Sequence, residues 1–160
     1  MTNIRVGNGY DVHQLKENLP FILGGIPIKY NKGIVAHSDG DVLLHAISDA
    51  LLGAASLGDI GHFFPDNDPK FKNINSAIIL RKVCDKLNAL SFTIINVDVT
   101  IVLEKPKLHP YINTIKESLA TLLSIPLDQT NIKATTSETM GFVGRGEGII
   151  CYATVLIQKT

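Results

Sequence analysis

Phe92-Thr93-Ile94-Ile95-Asn96-Val97-Asp98-Val99-Thr100-Ile101-Val102-Leu103-Glu104 reads as one long strand, and the other elements fall on either side of it. From Asn96 onward polar and apolar residues alternate, and a period of two is the period of a strand, whose side chains point to opposite faces in turn. Val97, Val99, Ile101 and Leu103 then share one face, and Asn96, Asp98 and Thr100 share the other. Helical segments on either side supply the cover for the apolar face: about Ser76 to Ala89 upstream, and 110–124 downstream, stopped before Pro126. Farther out, residues 130–136 and 148–158 read as strands. The second is almost entirely apolar, which predicts burial on both faces. Toward the N-terminus, Val42, Leu43, Ala46, Ile47, Ala50 and Leu51 fall at helical spacing within 40–55, with Ser38 or Asp39 as the cap. Residues 3–13 and 21–28 read as strands. The sum is one domain over residues 1–160, α/β or α+β, with a mixed sheet of four or five strands covered by helices.

Composition narrows the function classes. A chain of 160 residues, 45% apolar, buries enough surface to fold without disulfides or metal. Its 15 basic and 15 acidic side chains cancel, which argues against a bulk electrostatic grip on nucleic acid and against a polybasic membrane anchor. No apolar run reaches the ~18–20 residues of a membrane helix. Trp is absent and only 6% of residues are aromatic, so base-stacking platforms are not expected. Cys84 and Cys151 form no CxxC pair and lie in apolar surroundings. They read as buried free thiols in a reducing compartment. Without a signal-peptide pattern after Met1, the expectation is a cytoplasmic protein, or a plastid protein after removal of its transit peptide.

The chemistry-bearing residues fall in a few segments. Asp11-Val12-His13 puts a carboxylate and an imidazole on the same face of a strand, as two ligands of a cation require. Ala36-His37-Ser38-Asp39-Gly40-Asp41 precedes His45. In a helix, Asp41, His45 and Asp49 form one stripe, either a solvated face or the source of a third ligand with Asp41 or Asp49 orienting the imidazole. His37 and His62 compete for the same role, and spacing alone does not separate His37 from His45; His109, before Pro110, reads as structural or exposed. Gly58-Asp59-Ile60-Gly61 and Pro65-Asp66-Asn67-Asp68-Pro69 make a turn-rich acidic loop suited to hydroxyls or a hydrated magnesium ion. Lys133-Ala134-Thr135-Thr136-Ser137-Glu138 offers hydroxyls to a phosphate and a hard oxygen to Mg²⁺. Gly141-Phe142-Val143-Gly144-Arg145-Gly146-Glu147-Gly148 offers a backbone nest and a guanidinium fork for a diphosphate, or an Arg145–Glu147 pair. It is not a P-loop, and Gly7-Asn8-Gly9 is not a dinucleotide fingerprint, since no third glycine or helix follows.

Together these segments closely resemble the 2-C-methyl-D-erythritol 2,4-cyclodiphosphate synthase family. The resemblance runs from about Arg5 to Leu156 and rests on Gly-Tyr-Asp-Val-His (9–13), Ala-His-Ser-Asp-Gly-Asp (36–41) with His45, Gly-Asp-Ile-Gly (58–61), Phe-Pro-Asp-Asn-Asp-Pro (64–69), Lys-Pro-Lys (105–107), Lys-Ala-Thr-Thr (133–136) with Glu138, and Gly-Phe-Val-Gly-Arg-Gly-Glu-Gly (141–148). It implies a homotrimer with sites between subunits, and a lyase that turns 4-diphosphocytidyl-2-C-methyl-D-erythritol 2-phosphate into the cyclic diphosphate and CMP in non-mevalonate isoprenoid synthesis. It implies Zn²⁺ held by Asp11, His13 and His45, and Mg²⁺ or Mn²⁺ held by Glu138 on the diphosphate. His37 and Thr136 would assist the transition state. Asp11, His13 and His37 would also touch the substrate. Ser38, Asp59, Ile60, Gly61, Phe64, Pro65, Asp66, Asn67 and Asp68 would cradle the erythritol and its phosphate. Leu103, Pro106, Lys107, Leu108, His109, Ala134 and Thr135 would line the cytidine pocket. Phe142 and Arg145 would face an isoprenoid-like diphosphate near the trimer axis. Leu103 stands where that family often has a smaller residue, and Ser137 keeps the hydroxyl of a common threonine among the substrate contacts.

Overall fold

The structure, a computed structural model, describes residues 3–65, 69 and 73–160. The expected strand at its centre is β5 (Phe92–Val102), which stops two residues short of Glu104. It pairs in parallel with β6 (Thr130–Thr135) on one side and antiparallel with β7 (Gly148–Lys159) on the other. Beyond β7 comes β1 (Ile4–Glu17), antiparallel to it, and beyond β1 comes the short β4 (Lys32–Val35), which the sequence pattern did not reveal. The order β4-β1-β7-β5-β6 is a mixed five-stranded sheet. Residues 21–28 are not one strand. They split into β2 (Ile22–Leu23) and β3 (Ile26–Pro27), a hairpin turning at Gly24-Gly25 that pairs with itself. Both glycines have positive φ, 59° and 77°, which breaks an extended run wherever it occurs.

Helices α1 (Val42–Ala54), α3 (Ser76–Ala89) and α4 (Ile112–Leu123) cover one face, and the four-residue α2 (Ile60–Phe63) lies beside α1. The core forms between them: Leu43, Leu44, Ile47 and Leu51 from α1 meet Val97, Val99, Ile101, Val155 and Ile157 from the sheet. The alternation in β5 is borne out, with Val97, Val99, Ile101 and Leu103 buried. That in β7 corrects the expectation of burial on both faces. Cys151, Ala153, Val155 and Ile157 are buried, whereas Tyr152 and Thr154 are exposed.

β1 runs opposite to the usual rule. Its inward face is Gly7, Gly9, Asp11, His13 and Leu15; its apolar Ile4, Val6, Tyr10 and Val12 face outward. The glycines explain the inversion. A Cβ on Gly7 would lie 1.8 Å from the Ala50 carbonyl oxygen, and one on Gly9 would lie 1.8 Å from that of Ala46. The backbone of α1 therefore rests directly on that of β1, a spacing that only glycine under a row of alanines allows. The cap of α1 is also corrected. Asp41, not Ser38 or Asp39, accepts the amide of Leu44 at 3.2 Å. Its other partners are the amides of Gly24 at 3.0 Å and Gly25 at 2.7 Å, so one carboxylate fastens the β2–β3 turn to the start of α1.

Candidate metal centre

The glycine floor brings the helix bearing His45 over the strand bearing Asp11 and His13. Asp11 Oδ1 accepts the amide of Val12 at 2.9 Å, which fixes the carboxylate. Its Oδ2 then lies 3.1 Å from Nδ1 of His13 and 3.1 Å from Nδ1 of His45. The two rings are 5.5 Å apart between centroids. His13 Nδ1 is buried, and its approach to Asp11 lacks the alignment of a hydrogen bond, so among the described residues it has no hydrogen-bond partner. One ligand atom from each of the three residues fits within a span of 4.8 Å, as a small cation requires. One carboxylate and two imidazoles suit zinc-like ions and leave coordination positions open toward solvent.

Electrostatics agree with that reading. Burial works against the charged form of Asp11, but the close approach of His13, the hydrogen bond of His45 and the charge of both rings outweigh it and hold the carboxyl below its usual range. Burial likewise opposes charge on His45. The hydrogen bond and charge of Asp11, backed by Asp41 and Asp39, overcome it and raise the imidazole above its ordinary value. The site favours positive charge beside Asp11, whether on a ring or on a bound cation.

The stripe of Asp41, His45 and Asp49 is not a solvated face: Asp41 and His45 are buried and Asp49 is half-buried. Neither acid's carboxylate bonds to the imidazole. Asp49 accepts the amide of Ile60 at 2.8 Å and so anchors the entry to α2, while Asp41 serves the helix cap. The partners of His45 Nε2 are Ser76 Oγ at 2.9 Å and Ser38 Oγ at 3.3 Å, and Ser76 is a residue the sequence reading missed. It looked like the first residue of a helix, and only the packing of α3 on α1 brings it here.

The three ligand candidates line a cavity of about 420 Å³ with His37, Ser38, Ile60, Gly61 and Phe64, as expected, and with Gln14, Ile74 and Ile79, which were not. Pro65 is half-buried next to it along the chain, and Asp59 caps α2 by accepting the amide of His62 at 3.0 Å. Asp66, Asn67 and Asp68 lie outside the described residues. His62 is exposed, edge-on to Phe63, and away from the cluster.

A second cavity of about 580 Å³ holds the other expected group: Leu103, Pro106, Lys107, Leu108, His109, Ala134, Thr135 and Thr136. Thr136 Oγ1 donates to Glu138 at 3.0 Å. Glu138 and Thr139 have positive φ, 53° and 62°, and Glu104 braces this turn. Its carboxylate accepts the amides of Ser137 and Thr139, both at 3.1 Å, while the Ser137 hydroxyl donates to the Met140 carbonyl at 2.7 Å. From sequence alone Glu104 is only the end of a strand. Among the described residues none lines both cavities, so the two groups lie apart on a single chain. In the glycine-rich segment, α5 (Gly141–Gly144) is helical, and the fork of Arg145 is closed on Glu147 of the same chain at 2.9 and 3.0 Å. Phe142 borders a third, shallower hollow of about 450 Å³ with Val12, Gln14 and Glu147.

Comparison with known proteins places this geometry. The model of the YgbB family matches residues 4–158. The chain is 54% identical over 98% of its length to the 2-C-methyl-D-erythritol 2,4-cyclodiphosphate synthase of Enterococcus faecalis, covering 99% of it, and 56% identical over 98% to that of Methylobacillus flagellatus, covering 98%. Among solved structures, a CDP-bound 2C-methyl-D-erythritol-2,4-cyclodiphosphate synthase matches 96% of the chain and 100% of its own length at 36% identity and a TM-score of 0.90. The bifunctional IspDF of Campylobacter jejuni matches the whole chain at 42% identity and a TM-score of 0.96, with the chain spanning 43% of that longer protein.

Proposed function

The chain belongs to the YgbB family of 2-C-methyl-D-erythritol 2,4-cyclodiphosphate synthases, and from that membership we infer how its own residues serve the reaction. The enzyme is a phosphorus–oxygen lyase. It converts 4-diphosphocytidyl-2-C-methyl-D-erythritol 2-phosphate to 2-C-methyl-D-erythritol 2,4-cyclodiphosphate and CMP in non-mevalonate isoprenoid synthesis. An oxygen of the 2-phosphate bonds to the β-phosphorus, the bond from that phosphorus to the bridging oxygen breaks, and CMP leaves with the electron pair. The nucleophile is already ionised near neutral pH, so the difficulty lies in gathering several phosphate charges in line. Asp11, His13 and His45 would hold zinc, and Glu138 magnesium or manganese, the bound ions supplying Lewis-acid neutralisation of that charge.

The protein's own contribution is positional. His37 and Ser38 stand on the wall of the metal cavity, where they meet the erythritol phosphate together with Asp59, Ile60, Gly61 and Phe64. Thr136 is set beside Glu138 to steady the diphosphate, and the hollow between Leu103 and His109, closed by Ala134 and Thr135, suits cytidine. Holding both reacting groups in one frame removes much of the entropic barrier. Because the two halves lie in separate cavities of one chain, each site is completed by a neighbouring copy. A homotrimer accounts for this and for the outward apolar strip of β1. An isoprenoid diphosphate at the three-fold axis would sit by Phe142 and must displace Glu147 from Arg145. Among the described residues no helix is long and apolar enough to cross a membrane, and the free thiols Cys84 and Cys151 fit a cytoplasmic setting.

The observation that carries the assignment of ligands is Asp11 Oδ2 at 3.1 Å from both imidazoles, at the wall of the cavity that holds His37 and Ser38. Incubation with the cytidyl substrate, followed by ³¹P NMR, should show the cyclic diphosphate and CMP. His45→Ala and Asp11→Asn should lose bound zinc and cyclisation together. Linear phosphates as products, or full turnover by zinc-free His45→Ala, would overturn the assignment.

A further inference from the structure

The two ring nitrogens of His45 face different neighbours. Nδ1 faces Asp11 at 3.1 Å, on the side of the ligand cluster. Nε2 lies 2.9 Å from Ser76 Oγ, and Ser76 is fully buried. A serine hydroxyl has one proton to give. Ser76 gives its proton to Asp39 Oδ1, and Asp39 Oδ2 accepts the amide of Ser76 at 3.0 Å. With its proton committed, Ser76 Oγ can meet Nε2 only as an acceptor, so Nε2 carries the hydrogen. Ser38, at 3.3 Å from Nε2, is the longer branch, and its oxygen also accepts the amide of Gly40 at 3.1 Å.

We propose that Ser76, braced by Asp39, is a positioning residue for the metal centre: it accepts the Nε2 hydrogen of His45, fixes the ring plane, and leaves Nδ1 as the ligand atom beside Asp11 and His13. A ligating histidine whose remote N–H is held by an oriented acceptor loses less freedom on binding and keeps a more basic lone pair. The brace reaches further than one ring. Asp39 donates its amide to the Ile74 carbonyl at 3.1 Å, and Asn73 donates its amide to the His37 carbonyl at 2.7 Å. The entry to α3 is thus stitched to the segment that carries His37 and Ser38. The proposal rests on the reading of Asp11, His13 and His45 as zinc ligands, and its test separates the two.

The test measures, on the full chain, the zinc dissociation constant by chelator competition and the ring N–H signal of His45 in the zinc-loaded protein by ¹H–¹⁵N NMR. In the wild type the hydrogen should sit on Nε2, shifted downfield and slow to exchange. Ser76→Ala should weaken zinc binding ~10–100-fold and move or lose that signal, while Ser76→Thr, which keeps a hydroxyl, should recover most of both. Asp39→Ala leaves Ser76 in place with its proton free, and should also shift the signal, with a smaller loss of affinity. It serves if Ser76→Ala fails to fold. Wild-type affinity and an unmoved signal in either alanine variant, or a hydrogen found on Nδ1, overturns the positioning role. Wild-type zinc affinity in His45→Ala overturns instead the ligand reading beneath it.

Discussion

Burial pushes the carboxyl of Asp41 up to about 6, against the opposing pull of the Gly25, Gly24 and Leu44 amides, with Asp39 adding repulsion. Its folded state therefore holds a proton more firmly than the unfolded chain does. The stabilisation from that proton is complete below the ordinary carboxylate pKa and is lost as pH rises through about 6. Two pKa units correspond to about 3 kcal/mol. Metal-free wild type should lose urea resistance between roughly pH 4 and 6.5 relative to Asp41→Asn, because asparagine has no such proton to lose. On the acid side of that range, where Asp41 keeps its proton, the same substitution should cost about 1–3 kcal/mol, since its Nδ2 faces either the Gly25 amide or the pair from Gly24 and Leu44, and the gap should close as pH rises. Parallel urea midpoints for the two proteins across that range would contradict this. At this scale the sequence was legible where chemistry is local. Asp11 and His13 share a face because strand residues two apart always do. The choice of His45 over His37, the cap role of Asp41, and the tasks of Ser76 and Glu104 were not legible, because each depends on a partner from a different element.

Between β1 and α1 the governing fact is distance. Gly7 and Gly9 let two backbones touch, and the alanines at 46, 50 and 54 supply the matching smooth side. Gly9→Ala must push α1 away from the strand, since the new methyl would meet the Ala46 carbonyl. Overpacking of this kind costs about 1–3 kcal/mol, and the displacement separates His45 from Asp11. A lowered melting temperature together with reduced zinc content is the expected result. A destabilised protein that still binds zinc with wild-type affinity would show that the helix need not sit so close. The Gly7-Asn8-Gly9 run lies inside β1, and its packing role is not legible in the sequence, because nothing local marks a glycine pair as a helix seat. Periodicity did find α1, α3 and β5 to within two residues at most boundaries. It failed on 21–28, where two positive-φ glycines cut an apolar run, and on β4, which is too short to have a period.

On the scale of the molecule, the proposed metal half and the proposed nucleotide half lie in different cavities, so each should be repairable from outside. His45→Ala lacks the first half and Thr136→Ala impairs the second. Mixed after dissociation and reassembled as rings, they should regain activity, approaching about a quarter of wild type if subunits exchange at random. No recovery despite mixed rings by native mass spectrometry would argue that one chain supplies both halves. Val6→Asp, on the outward strip where Val6 is 66% exposed, should shift sedimentation toward a single chain and abolish turnover. The oligomer entered the sequence reading only through family resemblance. Alternation shows that a strand has two faces but not which of them meets the interior, and in β1 glycine and charge turn inward while isoleucine, valine and tyrosine turn out. In the proposed trimer that inversion sets a clock for each newly made copy: its greasiest strip stays wet until sisters arrive, so dilution, slow translation or a surplus of one damaged allele should waste protein as clumps before it wastes catalysis.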